Sequence, residues 1–144
     1  MIEIRKIQPT DLERVTEITK NAFPDSWPES YFKKLIEEYP NDFFVAKKDE
    51  KIVGYVLGYE KANGQGWIKA IAVSPESQGQ GIGTEMMAFI TKRLEKAETI
   101  GLHARTSNRK GVSFYQNLGF DIVKTIEGYY ANGDSAYLME KRGG

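Results

Sequence analysis

Apolar and polar residues alternate with period two along Ile2-Glu3-Ile4-Arg5-Lys6-Ile7, which predicts a strand. Leu12, Val15, Ile18 and Ala22 then recur at helical spacing, with Thr10 and Glu13 placed to form a capping box at the helix start. Pro24 stops this helix. Ser26 and Glu29 offer a second capping box, and Phe32, Leu35, Ile36 and Tyr39 supply a second apolar face. Phe43 to Lys48 and Lys51 to Glu60 are strand-like runs joined by the polar turn Asp49-Glu50. Trp67 to Val73 follows a Gly/Asn-rich loop and must end at Ser74-Pro75, because proline disfavours a continued ladder. Met87, Ile90, Leu94 and Ala97 mark a third helix, and Thr99 to Arg105 a further strand. Val112, Tyr115 and Leu118 predict a short helix closed by Gly119 at C′. Phe120 to Ile126 and Ala136 to Met139 complete the chain as two strands around a loop.

The resulting order is β-α-α-β-β-β-α-β-α-β-β. Short turns between strand runs imply antiparallel pairing, while the helix between the fourth and fifth strands allows a parallel crossover. The expected class is α+β, a mixed sheet flanked by helices. Residues 1–144 show no repeat, low-complexity tract or linker, so a single domain is expected.

Composition narrows the partners. Lys+Arg and Asp+Glu both number 20, so the formal net charge is zero and no broad attraction for nucleic acid or anionic membrane is expected. Hydrophobic residues are 40% of the chain, a globular proportion. Cysteine is absent, which removes disulfides, thiolate nucleophiles and cysteine metal sites, and fits a cytoplasmic protein. No signal-peptide core or membrane-length apolar run is present.

The segment richest in chemistry is Ile71-Ala72-Val73-Ser74-Pro75-Glu76-Ser77-Gln78-Gly79-Gln80-Gly81-Ile82-Gly83-Thr84. A strand ends and glycines lead straight into a helix, whose N-terminal amides and dipole favour phosphate. No Lys-Ser/Thr pair follows, so it is not a P-loop, and the leading βαβ unit of a dinucleotide site is missing. Alone, these glycines fit either an anion cradle or a tight turn.

Gln78-x-x-Gly81-x-Gly83 resembles the Gln/Arg-x-x-Gly-x-Gly/Ala signature of the GNAT acyltransferase superfamily. Leu102-His103-Ala104-Arg105-Thr106-Ser107-Asn108, followed by Phe114-Tyr115-Gln116-Asn117-Leu118-Gly119-Phe120, resembles that family's second signature. The resemblance implies a GNAT fold across the chain: a mostly antiparallel sheet of about seven strands, about four helices, and a splayed parallel pair at strands 4 and 5. It implies acetyl-CoA as donor, without a metal. Gln78, Gly79, Gln80, Gly81, Ile82, Gly83 and Thr84 would hold the pyrophosphate, Ile71 to Val73 (with Ala72 between them) the pantetheine arm, and Asn108 and Tyr115 would also contact the cofactor.

Acetyl transfer to an amine needs a neutral amine, a polarised carbonyl and a proton for the thiolate. Tyr115 is the implied general acid; as a residue alone it equally fits the helix's apolar face. His103, the only histidine, is the candidate general base, or else a solvent-facing or satisfied core residue. Glu76, Glu85 and Asp134 are weaker candidates. Phe23, Pro24 and Trp27 lie between the first two helices, and Tyr129 and Tyr130 between the last two strands. Both segments resemble those of protein N-terminal acetyltransferases of the bacterial ribosomal-protein-alanine and archaeal types, where they groove the acceptor peptide; ordinary loop packing is the other reading. Ser135 between Asp134 and Ala136 departs from that pattern. The expected function is acetylation of protein N-termini. A small amine or lysine acceptor, or a non-catalytic acyl-CoA-binding module, are the alternatives, and the protein could be a monomer, a homodimer or a subunit with a partner.

Overall fold

The computed structural model describes residues 2–23 and 27–144. The elements run β1 (Glu3–Lys6), α1 (Leu12–Ala22), α2 (Glu29–Glu38), β2 (Phe43–Lys48), β3 (Lys51–Glu60), β4 (Gly66–Val73), α3 (Ile82–Arg93), β5 (Thr99–Arg105), α4 (Arg109–Asn117), β6 (Asp121–Ile126) and β7 (Ala136–Arg142). Single 3-10 turns at Pro9–Asp11 and Pro75–Ser77 are the additions to the expected order. The sheet has seven strands in the order β1-β2-β3-β4-β5-β7-β6. β1/β2, β2/β3, β5/β7 and β6/β7 are antiparallel, and β4/β5 is the parallel pair. The parallel ladder spans Gly66–Ile68 against Ile100–Leu102, and both strands continue beyond it. This is the mixed sheet and the strand 4/5 pair that the pattern implied.

The residues fall into two compact units. The first comprises Met1–Tyr59 and Ala70–Arg93. Its core joins Val15 and Ile18 of α1, Phe32 and Leu35 of α2, and Phe43, Val45, Tyr55 and Leu57 of the β2–β3 hairpin. The predicted helical stripes are therefore the faces that pack on the sheet. Tyr55 brings a phenol into this core and satisfies it on Thr19, 2.6 Å away. α3 closes on β3 because Gly54 has no side chain: a Cβ there would stand 2.8 Å from the Ala72 carbonyl and 2.9 Å from Met86 Cε. The second unit comprises Glu60–Lys69 and Leu94–Gly144, with Ile100, Leu102, Val112, Phe120, Ala136 and Met139 buried.

Three details depart from the pattern. The first capping box is formed by Gln8 and Asp11, two residues before the expected pair, and caps the 3-10 turn that leads into α1. Asp11 wins because one buried carboxylate accepts from the Gln8 N–H at 2.8 Å and takes a two-pronged ion pair from Arg5 at 2.7 and 3.0 Å. α2 starts at Glu29 behind Pro28, so Glu29 is its first residue and not the third of a box; Ser26 lies outside the described residues. α3 stops at Arg93, so Leu94 and Ala97 bury in the following turn, with the Ala97 N–H on the Leu94 carbonyl at 3.0 Å.

Candidate active site

In the first unit the candidate donor site is built where β4 ends. The Ser74 N–H donates to the Val53 carbonyl at 2.8 Å, which fixes the strand exit, and Pro75 turns the chain. The Gln78 amide donates back to the Val73 carbonyl at 3.2 Å. Gly79 and Gly81 have φ of 83° and 82°, the left-handed region that side chains disfavour. A Cβ at either would meet nothing within 4 Å. Backbone conformation and not crowding therefore demands glycine here, and the loop presents bare backbone to its surroundings. Ile82 is buried and anchors the first turn of α3, whose amides continue that surface. The segment fits a phosphate group in shape and in donor chemistry. It contains no lysine or arginine from Gln78 to Thr84.

Glu76 is a poor base. The nearby Ser74 hydroxyl, its own backbone N–H, Arg14 and Lys51 hold its carboxyl at about 2. The Ser74 hydroxyl itself is buried without a well-formed hydrogen bond among the described residues. Phe23 and Trp27 pack against the core of this unit, Trp27 edge-on to Tyr31 at 4.8 Å. Tyr39 and Tyr59, which the pattern did not single out for a site, stack at 4.2 Å with rings 4° from parallel. Burial, followed by the Tyr39 hydroxyl, raises the Tyr59 pKa above the usual phenol range. Pro24 lies outside the described residues.

In the second unit, Asn108 caps α4 by accepting from the Gly111 N–H at 3.0 Å. The helix buries Val112 and carries Tyr115 against Phe114 and Phe120. Burial, with Tyr130 adding, pushes the Tyr115 pKa up to about 12. His103 stands on β5 with its ring 4.8 Å from that of Trp67 and 4.5 Å from that of Tyr129. Burial first, then Lys61, Lys69 and Lys124, lowers its pKa, so the imidazole is neutral near pH 7. Lys61 rests 4.5 Å above the Trp67 ring. Tyr130 lies under the Arg105 guanidinium at 3.9 Å, and the same guanidinium holds Asp134 at 2.6 Å and Asn132 at 3.2 Å. Asp134 is thus tied up in loop structure. This unit brings together His103, Tyr129 and Tyr130 with three residues that sequence spacing does not flag, Lys61, Trp67 and Arg105. Trp67 is on β4 and Arg105 on β5, while Lys61 lies in the loop before β4, so bringing them to His103 needs the strand register and the loop path.

A family model described as the Acetyltransferase (GNAT) family matches residues 12–120. An N-alpha-acetyltransferase of Sulfurisphaera tokodaii is 33% identical, over 94% of this chain and 90% of its own. An uncharacterised N-acetyltransferase of Methanocaldococcus jannaschii is 36% identical, over 96% of this chain and 90% of its own. The crystal structure of Ard1 from Thermoplasma volcanium superposes with a TM-score of 0.92 at 24% identity, covering 98% of this chain and 97% of that one.

Proposed function

The chain belongs to the GNAT acetyltransferase family, and on that premise we propose that it transfers the acetyl group of acetyl-CoA to the N-terminal α-amino group of a protein or peptide. The relative from Sulfurisphaera bears that activity in its name and aligns over nearly the whole chain. The observation that carries the acceptor assignment is the aromatic setting of His103, an imidazole kept neutral beside Tyr129 and Tyr130. Tyrosine rings there would bound the first side chains of a peptide while their hydroxyls bond its backbone.

The chemistry follows from these residues. An α-ammonium must lose a proton before it attacks, and neutral His103 accepts it, directly or through water. The amine nitrogen then bonds to the acetyl carbon as the carbon–sulfur bond breaks. Backbone N–H groups at Ile71 to Val73 polarise the carbonyl, and the glycine loop holds the donor's pyrophosphate. Tyr115 serves the departing sulfur. With its pKa pushed up to about 12 the phenol is protonated at any working pH, and a thiol near 8.5 is the stronger acid. Full proton release to sulfur is therefore uphill, so Tyr115 acts chiefly by hydrogen-bonding the developing thiolate. The bonded nitrogen sheds a second proton as it becomes the neutral amide. Of the two protons lost from nitrogen, one ends on the thiolate and the other leaves to solvent through His103. We place this activity in the cytoplasm; among the described residues no helix is long and apolar enough to cross a membrane.

Steady-state assays with acetyl-CoA would compare short peptides, the same peptides with blocked N-termini, and free small amines. Turnover of the unblocked peptides alone supports the assignment. Turnover confined to small amines, or equal turnover of blocked lysine-containing peptides, overturns it.

A further inference from the structure

The glycine loop has backbone donors but no charge of its own, although the group assigned to it carries two negative charges. Its flanks are unfavourable: Glu76 precedes it and Glu85 sits in the first turn of α3. Glu76 is offset by Arg14 at 3.4 Å and Lys51 at 3.6 Å, which leaves those cations engaged away from the loop's glycines. A dianion held by amides alone, beside carboxylates, would bind weakly in water.

The β2–β3 hairpin brings a cation to the loop from elsewhere in the same unit. Phe44 of β2 packs edge-on against Phe89 of α3 at 4.8 Å, and Gly54 of β3 admits Met86 of α3. These contacts hold α3 over the hairpin. Lys48 is the last residue of β2. Its half-buried side chain ends with Nζ donating to Gln80 Oε1 at 2.6 Å, in the middle of the loop. Gln80 sits between the two left-handed glycines, so the ammonium is held by a side chain of the loop itself.

We propose that Lys48 is a donor-binding residue that supplies the positive charge for the coenzyme A pyrophosphate, with Gln80 holding its ammonium in place. This rests on the loop being the acetyl-CoA site. The arrangement divides the labour: backbone amides and the helix terminus give shape, and a residue far from the motif gives charge. Lys48 then affects donor affinity and not the chemical step.

Calorimetric binding of coenzyme A, 3′-dephospho-coenzyme A and pantetheine to wild type, Lys48→Ala and Lys48→Arg tests the proposal, with steady-state kinetics alongside. Lys48→Ala is expected to weaken both phosphate-bearing ligands by about tenfold, the scale of one charge-assisted hydrogen bond. It should leave pantetheine binding unchanged, raise KM for acetyl-CoA with kcat within about twofold, and flatten the salt dependence of binding. Lys48→Arg should recover most of the affinity, and Gln80→Ala should lose part of it. Equal affinities of wild type and Lys48→Ala for all three ligands overturn the proposal. So does a loss confined to the ligand that carries the 3′-phosphate, or a fall in kcat at unchanged KM. Thermal melting of each variant separates these results from misfolding. If wild type binds no coenzyme A at all, the donor assignment itself fails, a result distinct from any effect of Lys48.

Discussion

A phenol raised to about 12 and an imidazole lowered below its ordinary value are both products of burial, acting in opposite directions on an acid and a base. Tyr115→Phe removes only the hydroxyl, from a ring that keeps its contacts with Phe114 and Phe120. It should lower kcat by about 10²-fold with KM for acetyl-CoA little changed. The pH profile of kcat/KM reports His103. Protonation of the base abolishes its role, so a lowered pKa extends full activity to below the usual histidine range. Reversing one cation, Lys61→Glu, should raise the His103 pKa and move the acid limb of the profile upward. An unmoved limb would remove His103 or Lys61 from the account. Tyr115 and His103 were legible in the sequence as residue types at motif positions. Their environments were not, because Trp67 approaches His103 through the register of β4 on β5, Lys61 comes with it from the preceding loop, and Arg105 of β5 reaches Asp134 in the β6–β7 loop. Local spacing encodes neither.

Elements were read more completely than their ends. Period two and helical stripes located all seven strands and four helices among the described residues, since each burying face repeats at a fixed interval. Cap positions depend on partners far along the chain. Asp11 displaced the expected Thr10 box because Arg5 of β1 lies opposite it. Burial opposes ionisation of Asp11, but Arg5 and the Gln8 N–H outweigh it and lower its pKa. Its contribution is therefore present above the usual carboxylate range and lost as pH falls through the lowered native value. Asp11→Ala should cost about 2–3 kcal/mol at pH 7, by denaturant titration. The difference from wild type should narrow in acid, where wild type loses the same pair. Gly54→Ala tests the seating of α3. A Cβ 2.8 Å from the Ala72 carbonyl forces the backbone apart, and a loss of about 1–3 kcal/mol is expected, a drop of several degrees in Tm. An unchanged Tm would mean that α3 is not seated as closely as its Met86 contact indicates.

At the scale of the whole molecule, the order of elements was enough to give a mixed sheet with one parallel crossover, because a helix between two strands permits little else. The boundary between the two compact units falls inside β4, at Lys69 and Ala70, within a single strand-like run of the sequence. The glycine loop falls in the first unit and His103 and Tyr115 in the second. The donor rests on the family match over residues 12–120, and the proposed acceptor groove on the aromatic residues around His103. Tandem mass spectrometry of one peptide, carrying a free α-amine and an internal lysine and incubated with the purified protein and acetyl-CoA, puts these together. A single acetyl group on the α-amine, reduced at least tenfold in initial rate by Tyr115→Phe, is the predicted result. Acetyl on the lysine alone, or an unmodified peptide, would contradict the account.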